Sequence, residues 1–120
     1  MVDKHKLLQI ILNLISNAKY AVNDNPEGER RLTLRVERPT EDRVQVQVRD
    51  NGMGIAPELL TKIFQHGFTT RKDGHGFGLH SCAIAARALG GSLVVHSDGP
   101  KQGATFTLEF PYRPEGQGSA

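Results

Sequence analysis

The sequence has one cysteine, Cys82, and no tryptophan in 120 residues. A lone thiol closes no disulfide within the chain and builds no cysteine-based zinc site; it fits a reducing compartment. Net charge is also scarce: 15 Lys and Arg against 13 Asp and Glu leave +2 with neutral histidines. That balance argues for neither nucleic acid nor an anionic membrane surface as a partner. No apolar run approaches the roughly 18 residues a bilayer span needs. The opening stretch, MVDKHKLLQIILNLISNAKYAV, does not read as a signal peptide. Asn13, Ser16 and Asn17 interrupt its apolar residues, and no clean cleavage site follows. Internal repeats are absent. What is there is globular: 38% hydrophobic and 23% charged residues, in a length that suits one domain.

Leu7, Leu8, Ile11, Leu14, Ile15, Ala18 and Val22 recur at spacings of three and four, which predicts an amphipathic helix from about Asp3 to Val22. Asn13, Asn17 and Tyr20 form a separate stripe, and Asn23-Asp24-Asn25-Pro26 ends the helix. The period then changes to two. Leu32, Leu34 and Val36, and then Val44, Val46 and Val48, alternate with polar residues around the turn cluster Pro39-Thr40-Glu41-Asp42. This predicts an antiparallel hairpin with one buried face and one wet face. Pro57 suits the first turn of a short helix running from Glu58 to Phe64. Gln65 to Gly78 has no periodicity, and a loop of that length in a small domain is usually functional. An alanine-rich helix follows from Leu79 to Leu89, closed by Gly90-Gly91. Leu93–His96 and Thr105–Phe110 form a second hairpin around Asp98-Gly99-Pro100, and the tail from Pro111 is expected to be disordered. Paired strands between helices predict a two-layer α/β sandwich of the α+β class, its sheet mixed or antiparallel with helices on one face.

Three constellations carry chemistry, each with a plainer alternative. Gly74, Gly76 and Gly78 precede a helix, where backbone N–H groups and the helix dipole attract anions; a flexible loop would look the same. They follow a loop and not a strand, so the dinucleotide fingerprint does not apply. Asp50 ends a hydrophobic strand before Asn51-Gly52-Met53-Gly54. Its carboxylate could accept from an exocyclic amine, or the segment could be an ordinary Asp-Asn-Gly turn. Asn13 and Asn17 share one helix face despite their poor helix propensity. They offer hard carbonyl oxygens for Mg²⁺, or a solvated polar face. No His pair has the spacing and nearby carboxylate of a zinc site, and Cys82 reads as a small buried hydrophobe.

Taken in order, these segments resemble one family. ILNLISNAKYAV resembles the N box of the histidine-kinase ATP-binding domain, VRDNGMGI its first glycine box, IFQHGFTT its F box, GHGFGLH its second glycine box and GATFTLEFP its closing segment. The likeness covers roughly residues 3 to 111 and extends to the wider group of Hsp90, gyrase B and MutL ATPases, which share the Bergerat fold. It implies ATP and Mg²⁺ as cofactors. It places the adenine-accepting carboxylate on Asp50, with ring and sugar space at Gly52 and Gly54, and Mg²⁺ on Asn17. Asn13 would support the phosphates or the metal's water shell. Residues 65 to 78 would be an ATP lid, with Gly74, Gly76 and Gly78 wrapping the triphosphate at Leu79. Thr105 would help hold adenine, while Phe64 and Phe68 would anchor the lid and Phe68 would border the nucleotide. Many members carry a basic residue where this chain has Tyr20. Lys19 lies about 160° around the helix from Asn17, so Arg71 and Lys72 are the candidates for γ-phosphate contact.

The resemblance implies phosphotransfer to a histidine on a separate dimerisation domain, with a response regulator downstream. Hydrolytic relatives carry a glutamate where this chain has Asn13, and an amide is no general base near neutral pH. Hydrolysis of the GHKL type and an anti-sigma-type serine kinase are the alternatives. None of His5, His66, His75, His80 and His96 sits in the acceptor pattern H-E-[LFI]-x-x-P, so the acceptor is expected on another domain. The domain is expected to span residues 1–111, with 112–120 as tail. The piece is expected to be monomeric, without direct membrane contact, and cytoplasmic, as it would also be within a membrane-anchored sensor.

Overall fold

Ile10, Leu14 and Ala18 lie four residues apart and are buried together on one side of α1, which spans Lys4–Ala21. The computed structural model describes residues 4–23, 25–64 and 79–112. After α1 come β1 (Leu32–Thr40), β2 (Arg43–Asp50), the single turn α2 (Pro57–Leu60), α3 (Leu79–Ala88), β3 (Ser92–His96) and β4 (Ala104–Pro111). Pro57 opens α2, where its missing N–H costs nothing. The helix ends at Leu60, short of the expected Phe64, and hydrogen-bonded turns carry the chain on to Ile63. Gly90 closes α3 at φ 83°, and the Gly91 N–H reaches back to the Ala86 carbonyl at 2.9 Å.

The strands form one sheet in the order β1-β2-β4-β3, and every neighbouring pair is antiparallel. The α+β sandwich is therefore the observed class, with the sheet antiparallel among the described residues. Register aligns Leu34, Val48 and Phe106 across three strands, and Val95 continues the row on β3. Val48, Leu108, Ile10 and Leu14 are fully buried where the helices meet the sheet. Burying each such side chain contributes about 1.5–3 kcal/mol.

Two expectations need correction. The first hairpin does not bury one face of both strands: all of β1 is exposed, with Leu34 at 50% and Val36 at 63%. α1 packs on β2, and α3 packs on β3 and β4, so the helical layer stops short of β1. The pairing partner of each β1 aliphatic residue is on the buried face, but β1 lies beyond the helices. As the terminal strand, β1 also tolerates Pro39, where the register shifts between Glu37 and Thr40. The second correction concerns the tail. Pro111 completes β4, and Tyr112 packs against the core while its N–H bonds the Asp42 carbonyl at 2.8 Å. The ordered domain thus includes Tyr112, and residues 113–120 lie outside the described residues.

Candidate functional site

Strand parity sends Val46, Val48 and Asp50 to the same side of β2, so a carboxylate continues a row of core aliphatics. Asp50 is only 5% exposed. It borders a cavity of about 160 Å³ between the end of α1, the loop after β2, α2, the start of α3 and β4. Met53, Ile55, Leu59, Ile63, Leu79 and Phe106 make most of the wall apolar, and Asn17, Tyr20 and Asp50 supply the polar side chains. The Gly52 N–H donates to Asp50 Oδ1 at 2.8 Å, and the Ala104 backbone also bonds the carboxylate. Burial pushes the Asp50 carboxyl above its ordinary value of 3.8, and these two backbone bonds partly pull it back.

The glycines after Asp50 also let backbones approach closely. A Cβ on Gly52 would overlap the Ala21 carbonyl, and one on Gly54 would overlap the Gly99 carbonyl. Gly54 also sits at φ 69°. Both residues allow close backbone approach: Gly52 lets the loop press against the end of α1, where the Met53 N–H bonds the Ala21 carbonyl at 2.9 Å. Gly54 lines the cavity and Gly52 does not. Asn51, between them and Asp50, braces the outside. Its Oδ1 accepts the Arg31 N–H at 2.8 Å, its Nδ2 donates to the Glu29 carbonyl at 2.7 Å, and its carbonyl accepts from Asn25 Nδ2 at 2.9 Å.

The structure brings Asn17, Asp50, Gly54 and Leu79 together around the cavity. Asn13 stands apart from it, half-buried, its Nδ2 donating to Cys82 Sγ at 3.5 Å. Cys82 belongs to the first turn of α3, so Asn13 faces the helix end that Gly74, Gly76 and Gly78 precede. Burial raises the Cys82 pKa, and the Asn13 bond opposes that. Thr105 is not among the residues that line the cavity. Ala104 pairs with Asp50 and faces the cavity with Phe106, while the alternation of β4 turns Thr105 to the other side of the sheet. Lys19 is exposed, in a separate recess with Arg30 and Arg31. His80 Nδ1 donates to the Phe64 carbonyl at 3.1 Å, joining α3 to the chain after α2. Phe68, Arg71, Lys72, Gly74, Gly76, Gly78 and the whole expected lid lie outside the described residues.

The sequence reading missed Met53, Ile55, Ala56, Leu59, Ile63, Ala104 and Phe106 as cavity walls. For β4 a signal existed, since Phe106, Leu108 and Phe110 alternate with polar residues and fix Ala104 on their side. The loop after β2 carries no such period.

A buried carboxylate facing a mostly apolar slot suits a flat ring that presents an amine. Among the described residues no group of three or more His, Cys, Asp or Glu could hold a metal ion. Of the lining residues, Asn17 is the one whose amide oxygen could hold a Mg²⁺.

The family model for the histidine kinase-, DNA gyrase B- and HSP90-like ATPases matches residues 2–114. The sensor histidine kinase ZraS of Salmonella typhi is 38% identical over 109 residues, covering 91% of this chain and 22% of that protein. The catalytic domain of the histidine kinase ThkA, solved free of nucleotide, superposes with a TM-score of 0.79 at 30% identity. That match covers 95% of this chain and 71% of the ThkA chain. Full-length ShkA, solved in complex with AMPPNP, gives a TM-score of 0.73 at 30% identity, with 90% of this chain and 22% of ShkA covered. The chain thus spans about a fifth of the length of ZraS and of ShkA.

Proposed function

The chain belongs to the family of histidine kinase-, DNA gyrase B- and HSP90-like ATPases, and from that premise we propose that it is the Mg·ATP-binding catalytic domain of a sensor histidine kinase. The observation that carries the reading is the buried Asp50 carboxylate, held by two backbone N–H groups at the polar end of an apolar cavity. Ionised, it accepts the adenine amino group, and the apolar walls cover the ring. A charged acceptor gives a hydrogen bond about twice as strong as a neutral one. Asn17, in the same cavity, offers its amide oxygen to Mg²⁺ on the phosphate side. The metal's contribution is to neutralise and orient the phosphate oxygens. Asn13, beside the first turn of α3, supports the phosphates or the water around the metal, with Arg71 and Lys72 at the γ-phosphate.

With the nucleotide so held, the γ-phosphoryl group is presented to a histidine Nε2 or Nδ1 on a dimerisation domain of the same full-length kinase. A response regulator receives it afterwards, in the cytoplasm. Phosphoryl transfer asks the protein mainly for positioning and charge neutralisation. Hydrolysis asks for a base aimed at water, and the only carboxylate lining the described cavity is Asp50, already committed to backbone N–H groups.

The test is labelling with γ-labelled ATP. The chain alone should neither label itself nor release phosphate briskly; adding the histidine-bearing helical domain should place label on that domain. Fast phosphate release by the chain alone would assign it to the hydrolytic branch.

A further inference from the structure

Ser97 follows β3 and lies outside the cavity lining, yet its hydroxyl joins three pieces of backbone around that cavity. It accepts the Ile55 N–H at 3.0 Å and the Gly99 N–H at 3.3 Å, and donates to the Gly103 carbonyl at 2.7 Å. One proton and two lone pairs are the whole capacity of a serine hydroxyl, so each is used. Gly54, Ile55 and Ala56 form one wall of the cavity; Ala104, next to Gly103 and opposite Asp50 in the register, belongs to the other.

We propose that Ser97 is a positioning residue for nucleotide binding, whose hydroxyl sets the spacing between the 54–56 wall and the Asp50–Ala104 wall; this rests on the adenine reading of the cavity. Backbone bonds already tie Lys101 to Met53 at 2.6 Å and Gly103 to Gly52 at 3.2 Å. Those bonds hold the first half of the loop. Past Gly54, which turns the chain at φ 69°, the tie is Ile55 to Ser97. The clamp therefore acts on the base-binding end and leaves the phosphate end, at Asn17 and α3, unchanged.

The experiment titrates wild type, Ser97→Ala and Ser97→Thr with adenosine and with Mg·ATP by calorimetry, and follows amide exchange at Ile55. Ser97→Ala should lose about five- to tenfold in affinity for both ligands by the same factor, as expected when one hydrogen bond is removed from a partly buried donor. Ser97→Thr keeps the hydroxyl and should stay within about twofold of wild type. Wild type that fails to bind adenosine would overturn the adenine reading itself. Wild type that binds adenosine, with Ser97→Ala binding it equally well, would overturn the role of Ser97 and leave that reading standing. A loss confined to Mg·ATP would also overturn it, because the effect would then lie at the phosphates. A lowered melting temperature with unchanged adenosine affinity would make Ser97 merely structural. Should Ser97→Ala fail to fold, wild-type exchange decides: the Ile55 N–H should be protected, and exchange at the rate of a free amide refutes the clamp.

Discussion

Replacing Asp50 by asparagine separates the cost to folding from the cost to binding. In the folded protein the carboxylate is 5% exposed and bonded by the N–H groups of Gly52 and Ala104. Asparagine keeps a single amide oxygen as acceptor, where the carboxylate serves two backbone N–H groups, and adds an NH₂ donor. An unsatisfied buried donor costs about 1–3 kcal/mol. Against that stands the burial that already disfavours the charge and raises the Asp50 pKa; removing the charge relieves it. The two effects oppose each other, so the melting temperature should move little. Binding has no such offset. Loss of a hydrogen bond to a charged acceptor costs about 1.5–3 kcal/mol, or roughly ten- to a hundredfold in adenosine affinity. Calorimetric titration with adenosine, beside a thermal melt, measures both. Unchanged affinity in a folded Asp50→Asn protein would refute the assignment of the adenine site, and a fold lost outright would refute the claim that the charge is a burden to stability.

Asn17→Ala should weaken Mg·ATP binding more than adenosine binding, because adenosine needs no metal; equal losses in paired titrations would remove Asn17 as a metal ligand. Because the folded Asp50 pKa lies above 3.8, its contribution to stability is full below 3.8 and is lost as pH rises through the folded value. Adenosine affinity should run the opposite way, rising as the carboxyl ionises; the difference between wild-type and Asp50→Asn melts across that window should carry the first slope, and Asp50→Asn should abolish the second. Gly52→Ala should destabilise by about 1–3 kcal/mol or more, since its Cβ would overlap the Ala21 carbonyl and the packed loop must shift; urea unfolding with less than half a kcal/mol of change would contradict the packing described at the end of α1.

The first helix and the pairing of both hairpins were legible because their periods were clean: Leu7 to Val22 at three and four, Leu32 to Val48 and Thr105 to Phe110 at two; α2 and α3 were read from Pro57 and from alanine content, and α2 ends earlier than expected. The exposure of β1 was not legible, since Leu32, Leu34 and Val36 carry the pattern of a buried face and nothing local reveals that the helices stop at β2. Residue type and position left Asp50 and Asn17 each with a plainer alternative, and the family resemblance singled them out; both line the cavity. Its walls were not legible, because Met53, Ile55 and Leu59 look like any core residues until the loop is folded. Thr105 was named through the resemblance alone, and the alternation of β4 puts Ala104, its neighbour, on the cavity side. Gly52 and Gly54 were read as room for a ligand; the side where a Cβ would stand is taken by neighbouring carbonyls at both, and Gly54 also lines the cavity.

The central claim, that the Asp50 cavity recognises adenine, meets its most direct test in calorimetric titration of the wild-type chain with Mg·ATP and with Mg·GTP. Guanine presents a carbonyl oxygen where adenine presents its amine, and a carboxylate cannot accept from it. ATP should bind at least about tenfold tighter than GTP. Equal affinity for the two nucleotides would contradict the account.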